Sequence, residues 1–177
     1  MSKTVEEHRA SAPKKLTFAI LTISTSRMKQ LTNGVAVKDQ SGDAAMKLLE
    51  DAGHKVSFRR IIPDDKSSII NALKALVAAE ELDAIITCGG TGITRSDVTI
   101  ETIEPMFTKT LPGFGELMRK ISYSTIGSAA MLTRAIAGTI GDKVVFCIPG
   151  STQAVEIALE KLIIPEIGHV VKHVREN

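Results

Sequence analysis

The chain has 177 residues, which suits one domain with a single substantial core. Apolar residues make up 44% and charged residues 24%, the balance of an ordinary globular domain, and a formal charge of +2 is too small for a general polyanion binder. Aromatic residues are only 3%, with no Trp and one Tyr, so the core must be Ile, Leu, Val and Ala, and stacking platforms for bare nucleic acid strands are hard to assemble from so few rings.

Met1 to Lys15 is polar with mixed charge and reads as a mobile arm before a single domain over 16–177. It holds no apolar leader, and no later segment is long enough to span a membrane, which points to the cytoplasm. Leu16 to Ile23 (LTFAILTI) is a near-continuous apolar run, the pattern of a strand covered on both faces. A polar stretch follows, through Ser24, Arg27 and Asn33-Gly34, with no element assigned to it. Ser41 can cap the next helix, whose Ala45, Leu48, Leu49 and Ala52 share one face before Gly53 ends it. Lys55 to Ile62 reads as a second strand ended by Pro63, and Ile69, Leu73, Leu76, Val77 and Glu80 mark the faces of a helix from about Ser67. Ala84 to Cys88 is a third buried strand.

Helices are expected at Thr99 to Phe107 and at Gly115 to Ile121, separated by Leu111 to Phe114. Ala135 to Thr139 and Val144 to Ile148 flank Gly141-Asp142, a hairpin turn signal that predicts an antiparallel strand beside an otherwise parallel sheet. Two last helices divide at Pro165. Cys88 and Cys147 each end an apolar run without a CxxC neighbour and read as buried reduced thiols. His169 and His173 stand at i, i+4, but no Glu follows His169, so HExxH is not met and an exposed or interface face is the reading.

Open parallel sheets bind ligands beyond the carboxyl ends of their strands. Gly89-Gly90-Thr91-Gly92 lies at such an end, where glycines bring backbone N–H groups close to a phosphate. It is neither a Walker A loop nor a dinucleotide fingerprint, and a purely structural tight turn is the alternative. Asp97 follows closely. Two unit charges about 4 Å apart in a partly buried site repel by about 4 kcal/mol, so a carboxylate beside a phosphate calls for a bridging cation such as Mg²⁺. Asp97 could equally cap a helix at Thr99. Asp64 and Asp65 follow the second strand and should emerge on the same edge: one can cap the next helix, and one can join Asp97 as a cation-binding or acid–base pair. Pro149, Gly150 and Ser151 deliver a strand directly to a helix N-terminus, a third anion-binding element.

These pieces, GGTG with DVT at Asp97 to Thr99, PGFGE at Pro112 to Glu116, LTRAIAG at Leu132 to Gly138 and IPGSTQAV at Ile148 to Val155, resemble the MoaB/Mog family of molybdenum cofactor biosynthesis proteins. TISTSR at Thr22 to Arg27 and DQSG at Asp39 to Gly42 agree, and the arm and C-terminal helices lean toward the MoaB branch. The resemblance implies a three-layer α/β sandwich (the molybdopterin-binding fold), trimers or hexamers, a possible downstream metal-insertion protein as partner, and no nucleic acid or membrane partner. It implies Mg²⁺, ATP and molybdopterin as ligands and adenylation of the terminal phosphate of the pterin, with a catalytically silent pterin-binding module as the alternative. By matching motif, Asp64 and Asp97 are the catalytic and Mg²⁺-organising carboxylates. Gly89, Gly90, Thr91, Gly92, Gly150 and Ser151 line the nucleotide and pterin pocket, with Ser24, Asp39, Ser41, Gly42, Glu116 and Arg134 in support. The family's usual Arg before the aspartate is Ser96 here, with Arg95 one residue earlier.

Overall fold

The computed structural model describes residues 12–176. In chain order, β1 (Thr17–Ile23) is followed by α1 (Thr25–Thr32), α2 (Gln40–Asp51), β2 (Lys55–Ile62), α3 (Lys66–Val77) and β3 (Ala84–Cys88). Then come α4 (Thr99–Ile103), β4 (Lys109–Thr110), α5 (Pro112–Ile126), β5 (Ile136–Ile140), β6 (Lys143–Ile148), α6 (Thr152–Ala158) and α7 (Ile164–Arg175). The strands form one sheet in the order β2-β1-β3-β6-β5-β4. The pairs β1–β2, β1–β3 and β3–β6 are parallel, while β5 runs antiparallel to both β6 and β4.

Alternation along the strands builds two cores, one on each face. Phe18, Ile20, Ile86 and Phe146 pack with Leu49 of α2, Met118 of α5, Val155 of α6 and Ile167 of α7. Ala19, Leu21, Ile85 and Val145 pack with Ile69 and Leu73 of α3 and Ile103 of α4. Helices therefore cover both faces of a mainly parallel sheet, the expected three-layer α/β sandwich. Among the described residues no helix is long and apolar enough to cross a membrane.

Several local expectations are corrected. The polar stretch after β1 contains α1, which buries none of its residues and so lacks an apolar stripe to betray it. Asp39, not Ser41, caps α2: its Oδ1 accepts the Gly42 N–H at 3.2 Å. Helix α5 begins at Pro112, where a missing N–H costs nothing, so the segment expected to separate two helices opens one. Helix α3 ends at Val77, short of Glu80. The last two helices are joined by a π-helical stretch at Leu159–Ile163, and Pro165 sits in the first turn of α7. The Gly141-Asp142 hairpin stands as expected, with Gly141 at φ +60°. Most of the N-terminal arm lies outside the described residues. Its visible end passes along α7, where a Cβ on Gly168 would come within 2.5 Å of the Pro13 carbonyl oxygen.

Candidate functional site

The chain leaves β1 for β2 on one side and returns to β3 on the other, so the sheet order reverses between the carboxyl ends of β1 and β3. Such a reversal opens a crevice. Gly89, at φ +108°, lies directly on the Ile23 carbonyl, its N–H donates to Ile148 O at 3.0 Å, and a Cβ on Gly150 would stand 3.1 Å from its Cα. Three chain segments thus meet by backbone alone. Gly90, at φ +64°, has no more room: a Cβ there would fall on Thr99 Oγ1 and stand 2.6 Å from Asp64 Oδ2.

Two carboxylates border this floor. The Asp64 N–H donates to Thr25 Oγ1 at 3.0 Å, and Asp64 Oδ1 accepts the Val98 N–H at 3.3 Å. Burial pushes the Asp64 carboxyl up from its ordinary value, and despite the Val98 N–H the negative charges of Asp97, Asp65 and Glu101 push it further. Asp97 does not cap α4, whose N-cap Val98 makes no side-chain bond. Its Oδ2 instead accepts the Thr94 N–H at 2.9 Å and the Thr94 hydroxyl, closing the loop that carries Ser96. Asp65 caps α3 by accepting the Ser68 N–H at 2.9 Å; the Ser67 hydroxyl first, and then this N–H, hold its carboxyl down at about 2.

A cation fits between these groups. Asp64 is a desolvated acid whose main charged neighbours are acids, and Thr99 Oγ1 is a buried polar atom with no hydrogen-bond partner among the described residues. No group of three His, Cys, Asp or Glu side chains among the described residues could hold a metal alone. Mg²⁺ suits such a place, because it commonly takes one or two carboxylates and completes its shell with phosphate oxygens and water.

Four of the supporting residues, Ser24, Asp39, Ser41 and Gly42, form a second cluster. Asp39 is buried; it accepts from Thr22 Oγ1 at 2.8 Å and from Arg59 Nη2 at 2.8 Å, and Arg27 Nη1 reaches both Asp39 Oδ1 and Ser41 Oγ. Burial alone would raise the Asp39 carboxyl, but the bonds from Arg59, Thr22 and Gly42 outweigh it and hold the group below its ordinary value. Ser24 caps α1 and joins this cluster through the Arg27 N–H. Gly42 is required there, since a Cβ would press on the Asp39 carboxylate and stand 2.8 Å from the Arg59 guanidinium. Thr22, Arg27, Arg59 and Thr99 were missed by sequence reasoning; the TISTSR and DVT motifs were the available signals for three of them.

Ser151 caps α6 by accepting the Ala154 N–H at 3.2 Å, just beyond Gly150. Thr91 is buried at the turn of the glycine loop, and a Cβ on Gly92 would stand 2.6 Å from Asp97 Oδ2. Arg134 pairs with Glu101 of α4 and so faces the same edge. Glu116 instead lines an adjoining cleft of about 230 Å³ with Glu104, Pro112 and Arg119. A cavity of about 680 Å³ between α3 and the outer edge of β2 is lined by Phe58, Ile61 and Ala75 and is bordered by neither Asp64 nor Asp97.

Residues 19–169 match the family model of the probable molybdopterin binding domain. Molybdenum cofactor biosynthesis protein B of Bacillus cereus is 49% identical over 168 residues, spanning 94% of this chain and 95% of that protein. The protein of the same name in Bacillus subtilis is 42% identical over 175 residues, spanning 98% and 99%. A crystal structure of a molybdenum cofactor biosynthesis protein B superposes with a TM-score of 0.86 at 48% identity, covering 94% of this chain and 100% of that one. The tungsten cofactor synthesizing protein MoaB from Pyrococcus furiosus superposes with a TM-score of 0.82 at 40% identity, covering 93% and 100%. Similar to such relatives in sequence over nearly its whole length, and in fold over the same span, the chain belongs to the MoaB/Mog family of molybdenum cofactor biosynthesis proteins, on its MoaB side.

Proposed function

We propose that the protein adenylates molybdopterin. The observation that carries this reading is Asp64, an acid held in a desolvated place among other acids, beside a backbone floor shaped for anions. Asp64 and Asp97 would hold Mg²⁺, which when bound supplies the positive charge that two approaching phosphates require. The amides of Gly90 to Gly92 and the Ser151 hydroxyl bind and orient the two ligands, while the Gly89 amide is held by Ile148 O. A phosphate oxygen of the pterin bonds to the α-phosphorus of ATP, and the bond from that phosphorus to the bridging oxygen breaks, releasing pyrophosphate. Little covalent help is needed from the chain, because alignment and charge neutralisation supply most of the rate in such transfers.

The test is pyrophosphate release from molybdopterin and Mg-ATP. Asp97→Asn should cut turnover by at least about 100-fold with pterin binding preserved, in the range of one lost electrostatic contact. Wild-type protein that binds pterin but releases no pyrophosphate above an enzyme-free sample would instead assign it a holding or assembly role.

We also infer a homo-oligomer. Tyr123 (65% exposed), Met131 (80%) and Leu132 (56%) project from α5 and the 3-10 turn after it, and such exposed apolar groups support burial against a second copy. Sedimentation as a stable monomer would contradict this.

A further inference from the structure

Helix α1 links the two clusters of the site. Its first residue, Thr25, accepts the Asp64 N–H through Oγ1 at 3.0 Å, and two residues later Arg27 reaches Asp39 and Ser41 through Nη1. These contacts lie where the sheet order reverses, because Thr22, which donates to Asp39, pairs with Cys88, the residue before Gly89. The Cys88 thiol, pushed up chiefly by burial, also feels the charges of Asp39, Arg59 and Arg27.

The two arginines of this cluster are used differently. Arg59 Nη2 stands 2.8 Å from the Asp39 carboxylate and 3.1 Å from its carbonyl, and Nη1 stands 2.7 Å from Asp43. Arg27 engages through Nη1 alone, at 3.4 Å from Asp39 Oδ1 and 3.2 Å from Ser41 Oγ. A guanidinium carries five N–H donors in a fixed fork. Nε and Nη2 of Arg27, the two nitrogens of one edge of that fork, have no partner among the described residues, although only 28% of the side chain is exposed. Asp39 does not depend on Arg27. Without it, the carboxylate keeps Arg59 and Thr22 at 2.8 Å, the Gly42 N–H at 3.2 Å and the Ser41 hydroxyl at 3.3 Å. Helix α1 buries none of its residues, so it can shift without opening the core.

We propose that Arg27 is a phosphate-binding residue of this site. When a phosphorylated ligand enters, Nε and Nη2 take two of its oxygens, and Asp39 stays with Arg59. An open guanidinium edge matches a phosphate in just this bidentate way. A phosphate that turns one oxygen to a cation at Asp64 needs its other oxygens neutralised too, and Arg27 supplies that charge from the Asp39 side. The group served is a phosphate of either the nucleotide or the pterin. This rests on the reading of the site as one for phosphorylated ligands, but it requires no turnover.

The test is calorimetric titration of the full chain with Mg-ATP and with molybdopterin in separate arms. Adenosine and the dephosphorylated pterin serve as phosphate-free controls. Arg27→Gln should weaken at least one phosphorylated ligand by at least about tenfold, the loss expected for hydrogen bonds to a charged group. The arm that weakens identifies the phosphate. Arg27→Lys keeps a point charge without the fork and should recover only part of that loss. Tm should stay within about 3 °C of wild type, and the controls should bind as before. Unchanged affinity of Arg27→Gln for both phosphorylated ligands overturns the proposal. So does a loss shared by the controls, or a larger fall in Tm, either of which would make Arg27 merely structural. Wild type that binds neither phosphorylated ligand overturns the phosphate reading as well, whereas binding without pyrophosphate release removes adenylation alone and leaves the Arg27 comparison in force.

Discussion

The Asp64 carboxylate accepts the Val98 N–H at 3.3 Å, tying the residue that follows β2 to the residue that opens α4. An Asn side chain can make that same bond through its amide oxygen while shedding the charge that Asp97, Asp65 and Glu101 oppose. Because the folded-state value of Asp64 is raised, its ionised form costs stability at neutral pH, and the cost disappears as the pH falls through that raised value. Asp64→Asn should therefore stabilise the protein at pH 7 by about 0.5 kcal/mol after solvent screening, a rise of about 1–2 °C in Tm. Pyrophosphate release should fall by at least about 100-fold in the same variant. Calorimetry and a turnover assay read the two effects, and a variant that loses stability would contradict the electrostatic account.

Thr99 gives a second separation of stability from binding. Its hydroxyl is buried without a partner among the described residues, and such a group costs about 1–3 kcal/mol. Thr99→Val keeps the shape and the Thr99 N–H bond to Gly90 O. It should leave Tm unchanged or higher while weakening nucleotide binding about tenfold, measured by titration with Mg-ATP. Weaker folding with unchanged binding would make the hydroxyl merely structural.

Asp39 should behave in the opposite sense. Its carboxyl is held low by Arg59, Thr22 and Gly42, so its contribution to stability is complete above the ordinary carboxylate range and is lost as the pH falls through its lowered value. Asp39→Asn would leave Arg59 with Asp43 as its charged partner beside the residue-39 carbonyl, and Arg27 with the Ser41 hydroxyl, at a cost of about 2 kcal/mol at pH 7. Denaturation at pH 7 and pH 3 checks this: the gap between variant and wild type should shrink on acidification.

The thiols of Cys88 and Cys147 are both fully buried and are pushed up to about 12, chiefly by desolvation. Neither should react with a disulfide reagent at pH 8 in the native protein, and both should react at once in denaturant. Labelling of the native chain faster than it unfolds would sink the prediction.

How much of this was legible depended on where a residue's cause lies. Strands β1 and β3 are buried on both faces, so their apolar runs spell them out, and Gly89 to Gly92 announce a turn that side chains cannot make. The placement of Asp64 followed from the parallel order alone. Helix α1 was hidden because it buries nothing, and its start rests on one hydroxyl, Ser24, in a string of hydroxyls. Ser41 was mistaken for the cap because Ser and Asp both favour that position, and only the Arg27–Asp39–Arg59 cluster decides between them. Thr99 stands in the DVT motif, but its importance lies in a hydroxyl without a hydrogen-bond partner among the described residues, which the motif does not express. The His169–His173 spacing was visible, but the N–H···N hydrogen bond between the two rings, 2.8 Å from Nε2 to Nε2, belongs to ring orientation.

Strand β5 has one more effect. In a sheet whose strands all run the same way, only residues that follow a strand arrive at the ligand-bearing rim. The reversal of β5 sends Arg134, which precedes its strand, to that rim, with Ile136 opposite Cys147 near the top of β6. The reach of this arginine is therefore metered from the far rim, by the length of the Gly141-Asp142 turn. A single residue inserted there would slip the β5–β6 pairing and turn each β5 side chain to the other face. It would also draw Arg134 away from Glu101, a lesion at the ligand made by an edit at the opposite end of the molecule.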